Sequence, residues 1–288
     1  MIGIIILVVA IAATIYGSYT DIKIREVPNW LSYSLIASMV LFRLIYYFIT
    51  RNQMTLVYSF VTGGLFLIFG FMMFFSRQWG GADLKILTAF GIGFGSLIGP
   101  FSPAFKGGWP FGLTLFINFL LITAIYSMGY GFVISIGNKK VYADIQNSMR
   151  HHEKKIAIIV FLAGCIGTFY DSLFILFPIF SILWLVMRYM KSVEKICLVR
   201  TRAWKDVVEF DVPVKNVKYR DKILQGTKDP NGFDLNVLRK CRKLAKEGRI
   251  RKKIVVKWGI PMIPVFPITI LVSVFFGDIT FWLMNILI

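Results

Sequence analysis

The sequence predicts an all-α polytopic membrane protein of about eight transmembrane helices, with a small α+β cytoplasmic insert before the last helix. Hydrophobic residues make up 57% of the 288 residues and charged residues only 17%. This leaves too few polar side chains to cover a water-soluble globule of this size. The apolar residues also lie in long runs, and a helix needs roughly 20 such residues to cross a hydrocarbon core of about 30 Å.

Apolar runs of about this length occur at six places in the chain, and each predicts one helix. The fourth run is short for a full crossing, and the last is interrupted by Pro264, Pro267 and Asp278. The six predicted helices are 1–20, 30–50, 56–75, 84–99, 111–136 and 261–288.

The segment 156–189 is too long for one ordinary span, and the distribution of charge decides how it crosses. Lys and Arg concentrate in cytoplasmic loops, and their positions predict that the N-terminus lies outside. The segment 191–257 carries 20 Lys and Arg against 8 Asp and Glu, so it is expected inside, as is the basic loop before 156. An even number of crossings must join them, which predicts a hairpin of helices 156–169 and 173–189 turning at 170–172. The resulting segments are transmembrane helices 1–190, a basic cytoplasmic insert 191–257 and a C-terminal helix 258–288.

The net charge of +18 raises the question of a nucleic-acid partner, for which the basic stretch 238–253 is the best candidate. Basic cytoplasmic loops beside membrane spans follow already from topology and from attraction to anionic lipid headgroups. No recognised nucleic-acid motif is present. We therefore expect membrane lipids and no nucleic acid among the partners.

The insert has the pattern of a small folded module. A helix is predicted from the N-cap Asp234 to the stop at Gly248, with one apolar face. Alternating apolar residues predict short strands. The predicted strands lie around 195–201, 206–212 and 252–258.

Cysteine and histidine give no metal pattern. Cys165 lies within a predicted span, and Cys197 and Cys241 lie in the insert, with no CxxC pair. His151 and His152 are adjacent in a loop that is expected to be solvated. The sequence therefore predicts no metal site and no cofactor.

Two acids, Asp21 and Asp83, lie at the predicted cytoplasmic ends of helices one and four, and so at one depth. An acid beside hydrocarbon is costly unless it faces the bundle interior or a watery cavity. Taken singly, Asp83 has a plainer interpretation as a helix cap, and Asp21 as a headgroup-level acid next to Lys23 and Arg25.

The surroundings of Asp83 favour chemistry when the two acids are considered together. Gly80, Gly81 and Ala82 are too small to block a second peptide backbone. Two neighbouring carboxylates cannot easily both ionise, so they share a proton. One then acts as base toward a water while the other polarises a carbonyl, which is aspartyl protease chemistry.

The stretches DIKIREVPNWLS, 21–32, and GGADLKILTAFG, 80–91, closely resemble the type IV prepilin peptidase family, the GxGD aspartyl proteases that include archaeal preflagellin peptidases. The resemblance implies catalytic roles for Asp21 and Asp83, a Val/Ile-Pro-Asn turn after the first and a Lys after the second. The segment 256–278 also looks like the final helix of archaeal members, which carry an insert before it. The matching residues are Asp21, Val27, Pro28, Asn29, Gly80, Asp83 and Lys85, and Gly81 occupies the variable position of GxGD.

The chain departs from the family pattern in two ways. Ala82 replaces the second glycine of GxGD and adds one methyl group beside Asp83. The zinc-binding cysteine loop and the methyltransferase region of many bacterial members are absent from the sequence. We therefore expect cleavage without N-methylation.

The resemblance implies substrates that are pilin-like or archaellin precursors, cut at the cytoplasmic face of the cell membrane after a short basic leader. Glu26 would meet a basic leader residue, or else pair with Lys23 or Arg25. A glycine-rich stretch of helix four offers either a groove for the substrate helix or packing against its own neighbours. These glycines are Gly91, Gly93 and Gly95.

Two other charged residues within or next to predicted spans have plain interpretations. Arg43 is expected to snorkel outward, and Asp278 to be an outer-loop acid without a role.

A proton-coupled transporter also carries intramembrane acids near broken helices, but usually at the midplane between repeated halves. A non-catalytic platform for filament assembly would keep the fold and tolerate the loss of either acid.

Overall fold

The structure is a computed structural model that describes residues 2–76, 78–95, 111–149, 151–170, 174, 176–207, 209, 211–219, 222–227 and 232–280. Helices dominate these residues, and four short strands lie between α8 and α10 in the order of the chain. The helices are α1 (Ile2–Ile24), α2 (Asn29–Thr50), α3 (Gln53–Phe75), α4 (Gly81–Phe94), α5 (Phe111–Ser135), α6 (Lys139–Ser148), α7 (His151–Gly167), α8 (Leu176–Ile196), α9 (Leu235–Lys246) and α10 (Val265–Phe275), and the strands are β1 (Val199–Ala203), β2 (Val217–Tyr219), β3 (Lys222–Gln225) and β4 (Lys253–Lys257).

The helical membrane protein predicted from composition is confirmed, but the number of crossings is not. Five of the described helices are long and apolar enough to span a membrane: α1, α2, α3, α5 and α8. Apolar helices also lie at the three other predicted places, where α4, α7 and α10 have 14, 17 and 11 residues. The ends of two predicted spans, 96–99 and 281–288, lie outside the described residues. The total of eight therefore stays a prediction.

The chain forms two compact units, Met1–Tyr126 with Pro261–Ile288, and Ser127–Ile260. The boundary falls within α5, whereas the predicted division into three segments follows chain order and stays a prediction. In the first unit α4 is the central helix, because nearly every residue from Asp83 to Gly95 is buried. It packs against α2 and α3.

Glycines let the neighbouring helices approach α4 closely. A Cβ added at Gly91 would lie 2.8 Å from the Cα of Gly63 and from the carbonyl oxygen of Thr62 in α3. A Cβ at Gly93 would lie 2.5 Å from the sulfur of Met39 in α2. Among the described residues, these glycines therefore pack α4 against its own neighbours, as one of the two interpretations of the sequence predicts.

The prediction that Arg43 snorkels outward is wrong. Its side chain is only 1% exposed, and its Nη2 donates a hydrogen bond to the carbonyl oxygen of Gly93. A guanidinium turns inward in a membrane protein when the interior offers a strong acceptor. The last turn of α4 supplies one.

Two features of α1 and α10 shape the first unit around α4. Helix α1 runs to Ile24, four residues beyond the predicted end, and stops where Arg25 adopts a positive φ of 61°. Helix α10 is tied to α5 by Asn118, whose Nδ2 donates to the Ser273 hydroxyl at 3.0 Å and to the Gly277 carbonyl at 2.7 Å. A side-chain amide bonded in this way joins helices that apolar contacts alone would leave free to slide.

In the second unit, the predicted pair of helices within 156–189 is confirmed. Helices α7 and α8 pack together, and a Cβ at Gly164 would lie 2.4 Å from the ring of Pro178. Their bounds reach beyond the prediction, from His151 at one end to Ile196 at the other. The predicted turn at 170–172 falls mostly outside the described residues.

The insert is an α+β module with its own apolar core, which includes Trp204, Phe233, Leu238 and Cys241. Strands β1 and β4 pair antiparallel, as do β2 and β3. Helix α9 ends before Gly248, whose φ is 71°, as predicted. Burial raises the pKa of the Cys241 thiol to about 11, so this thiol is neutral at physiological pH.

One predicted strand of the insert is wrong. Residues Trp204–Asp206 form a 3-10 helix, and the described residues of 206–212 lie outside any strand. Within this segment, Val207 is buried in the module core together with Trp204. The antiparallel pair of β2 and β3 lies outside the strands predicted from the sequence.

Candidate active site

Asp21 lies in the last turn of α1 and is buried, with 9% exposure. Its Oδ2 accepts a hydrogen bond from the backbone N–H of Ile263 at 3.0 Å, and the backbone of Met262 also bonds to it. These donors lie in the turn that precedes α10. Asp21 is therefore held inside the first unit and does not simply lie among headgroups.

Asp83 is the third residue of α4 and is equally buried, with 9% exposure. Its Oδ2 accepts a hydrogen bond from the backbone N–H of Gly80 at 2.9 Å. This bond satisfies one of the free donors at the start of the helix, and the helix dipole favours an acid there. The capping role considered from the sequence is thus real, and it fixes the direction of the side chain.

The two carboxyl groups are close enough for the charge on Asp21 to act on Asp83. The two residues lie 62 positions apart in the chain, on different helices. Each carboxylate accepts a hydrogen bond from a backbone N–H through its Oδ2. A carboxylate can accept about four hydrogen bonds, so both retain capacity for a water or a substrate group. A buried, interacting pair of acids is the arrangement that divides roles between base and acid.

Lys85 and Asn29, both singled out in the sequence, contact each other. The Lys85 Nζ donates to the Asn29 Oδ1 at 2.8 Å and lies 4.2 Å from the centre of the Tyr33 ring. Pro28 is the residue before α2, with φ −56° and ψ 130°, so it turns the chain from α1 into that helix. The contact joins the first residue of α2 to α4, two positions after Asp83.

The small residues before Asp83 are partly open. Gly80 is exposed, and Gly81 and Ala82 are half-buried. A Cβ at Gly80 would meet only the Asp83 Oδ2, at 3.5 Å. Glu26 is exposed on the connection between α1 and α2.

Sequence reasoning missed the turn before α10 as part of the site. Pro261 and Pro264 bracket Met262 and Ile263, and α10 begins only at Val265. Because proline lacks an N–H and disfavours helix in the residue before it, this segment keeps its backbone donors out of a helix. The IPMIPVFP sequence indicates a non-helical segment, but it does not indicate that Asp21 accepts the hydrogen bonds of its free N–H groups.

The described part of the chain contains no group of three or more His, Cys, Asp and Glu side chains that could hold a metal ion. The expectation that no cofactor takes part stays a prediction.

Comparison with known proteins gives two matches. Residues 8–132 match the model of the type IV leader peptidase family. The chain is also 25% identical over 197 residues to a protein of Methanothermobacter thermautotrophicus named prepilin peptidase EppA. The aligned region covers 63% of this chain and 49% of that protein. The chain thus spans about half the length of this curated relative. No solved structure matches the chain.

Proposed function

We propose that this chain, whose residues 8–132 belong to the type IV leader peptidase family, is a membrane aspartyl endopeptidase of the GxGD type. It removes the short basic leader from pilin-like or archaellin precursors at the cytoplasmic face of the cell membrane. The observation that carries the proposal is the buried, interacting pair Asp21 and Asp83 at the ends of two different helices.

The proposed reaction uses one proton shared between the two carboxyl groups. The ionised carboxylate takes a proton from a water, and the resulting hydroxide attacks the carbonyl carbon of the scissile peptide bond. The protonated partner donates to the carbonyl oxygen, which stabilises the charge that develops there. As the C–N bond breaks, the carboxyl group that took the proton from water gives it to the leaving nitrogen, and the tetrahedral intermediate returns the other proton to the partner carboxylate. The products are a leader with a free carboxylate and a mature protein with a free amino group.

The backbone contacts of the pair fit this division of work. Gly80 and Ile263 each donate an N–H to one acid, so the two side chains are held in place before substrate binds. Preorganised groups avoid the cost of reorientation during reaction. The exposed Glu26 supports a role in binding a basic leader residue, and exposed Gly80 supports close approach of a substrate backbone.

The test is cleavage of a pilin-like precursor by membranes that contain the protein. Asp21→Asn and Asp83→Asn should each lower the cleavage rate by about 10²- to 10⁴-fold, because the amide neither shares the proton nor acts as base. Asp278→Asn is the matched control. Asp278 is also buried, but it bonds to the N–H and hydroxyl of Thr280, and an amide oxygen can still accept from them.

Equal cleavage by wild type and by both site variants, each shown to be folded and inserted, would contradict the protease. A transporter would instead show proton-linked uptake without cleavage. An assembly platform would support filament formation in all of these variants.

A further inference from the structure

Arg43 of α2 is a buried cation that contacts α4 near the end of that helix, away from Asp83. It lies in α2, 1% exposed, and its guanidinium reaches the carbonyl oxygen of Gly93 in α4. None of the ion pairs among the described residues involves it. Its hydrogen bond to the backbone of α4 therefore connects the Arg43 side chain to the helix that carries Asp83.

The carbonyl of Gly93 lies in the last turn of α4, which ends at Phe94. A guanidinium that donates to such a carbonyl stabilises this end of the helix, because carbonyl groups in the last turn carry a partial negative charge. The negative end of the helix dipole also lies here, so a cation is stabilised at this place as an anion is at the other end.

The same helix, α2, therefore holds α4 by a polar contact at each end. Asn29 accepts from Lys85 in the first turn of α4, and Arg43 donates to Gly93 in its last turn. Between them Gly93 lets Met39 of α2 approach closely. A helix held at both ends cannot slide or rotate about its axis without breaking one of these contacts, and Asp83 moves with it.

We propose that Arg43 is a positioning residue for Asp83. By capping the C-terminal end of α4, it fixes how far that helix extends toward Asp21 and in which direction the Asp83 carboxyl group points. This inference rests on the proposed protease function. It extends the site along the whole of α4 and assigns a role to a residue that touches neither acid.

The main test compares Arg43→Met with Arg43→Lys in the precursor cleavage assay. Methionine fills similar space but cannot donate, so kcat should fall by about tenfold to a hundredfold while KM changes less than about threefold, since small misplacements of catalytic groups cost this much. Lysine keeps a charged donor and should recover a substantial part of kcat. Arg51→Met, an exposed arginine at the end of the same helix, should leave both constants unchanged.

A measurement that does not depend on activity accompanies it. In purified protein, amide hydrogen exchange over 91–95 should become about tenfold faster in Arg43→Met and remain slow in Arg51→Met. Arg43→Gln, which keeps an uncharged donor, serves in its place if the methionine variant does not insert. Arg43→Gln should give an intermediate kcat and intermediate exchange.

Two results would overturn the inference. One is an Arg43→Met protein with wild-type kcat and unchanged exchange in α4. The other is a loss of kcat that lysine does not restore at all, with exchange unchanged. Failure of the proposed function looks different, because wild type itself would not cleave, or would cleave without Asp21 and Asp83, while the exchange result would still report on α4.

Discussion

Lys85 shows how one side chain can connect two parts of the site at the scale of single residues. It follows Asp83 by two positions, and it reaches across to Asn29 and Tyr33 of α2. A hydrogen bond to a charged donor is among the stronger polar contacts, although this one is partly exposed. The family resemblance marks Lys85 and Asn29 separately, and the fold supplies the reason that they occur together.

A double-mutant cycle should detect this contact. Lys85→Met and Asn29→Ala should each lower the free energy of unfolding, and the double variant should lose about 0.5–1.5 kcal/mol less than the sum. Thermal or denaturant unfolding in detergent gives the values. Lys23→Met is the control, because Lys23 contacts Tyr19 in its own helix. Additive values for Lys85 and Asn29 would mean that the contact contributes nothing.

At the scale of elements, the interface between α3 and α4 brings the backbones of the two helices into contact. Gly91 touches the backbone of α3 at Gly63 and Thr62, whereas Gly64, on the next position of α3, has nothing within 4 Å of an added Cβ. Small residues at crossing points are how membrane helices approach each other closely. Close packing here leaves little room for the helices to adjust.

Gly91→Ala and Gly64→Ala should therefore differ sharply. The methyl group at Gly91 would meet backbone atoms that cannot rotate away, so we expect a loss of about 1–3 kcal/mol in the free energy of unfolding and a lower cleavage rate. At Gly64 the methyl group enters open space, and stability should be unchanged or slightly higher. Melting temperatures measured in the same detergent decide between them. Equal effects would show that α3 and α4 are not in contact as described.

At the scale of the whole molecule, the charge distribution predicts which side of the membrane each loop faces. The turn between α2 and α3 carries Arg51 and Asn52, while the insert carries most of the basic residues. Anionic headgroups and the positive-inside rule both favour the insert in the cytoplasm. The proposed site needs the same orientation, since the leader of a precursor is cytoplasmic.

Single cysteines introduced into a variant with Cys165, Cys197 and Cys241 replaced by serine test this orientation. Asn52→Cys should react with a membrane-impermeant maleimide in intact cells. Lys205→Cys, at an exposed position of the insert, should react only after lysis. The cysteine-free protein measures background labelling. Labelling of Lys205→Cys in intact cells would show that the insert faces the outside, and it would contradict a site at the cytoplasmic face.

The sequence by itself determined the class of the molecule and indicated two acids as candidates for the site. Long apolar runs leave a chain little choice but to form helices in a membrane, because every backbone polar group must be satisfied within the segment. Short motifs around Asp21 and Asp83 are local patterns, and so the resemblance could be read from them. The module helix and its glycine stop were likewise local and predictable.

Only the tertiary structure decided which distant groups hold the site. The bond from Ile263 to Asp21 joins residues 242 positions apart, and the bond from Arg43 to Gly93 turns inward a side chain that local reasoning sends outward. Both depend on which faces of the helices meet. Many arrangements of a helical bundle satisfy the same apolar pattern, and close contacts at small residues, such as Gly91 against Gly63, select one of them.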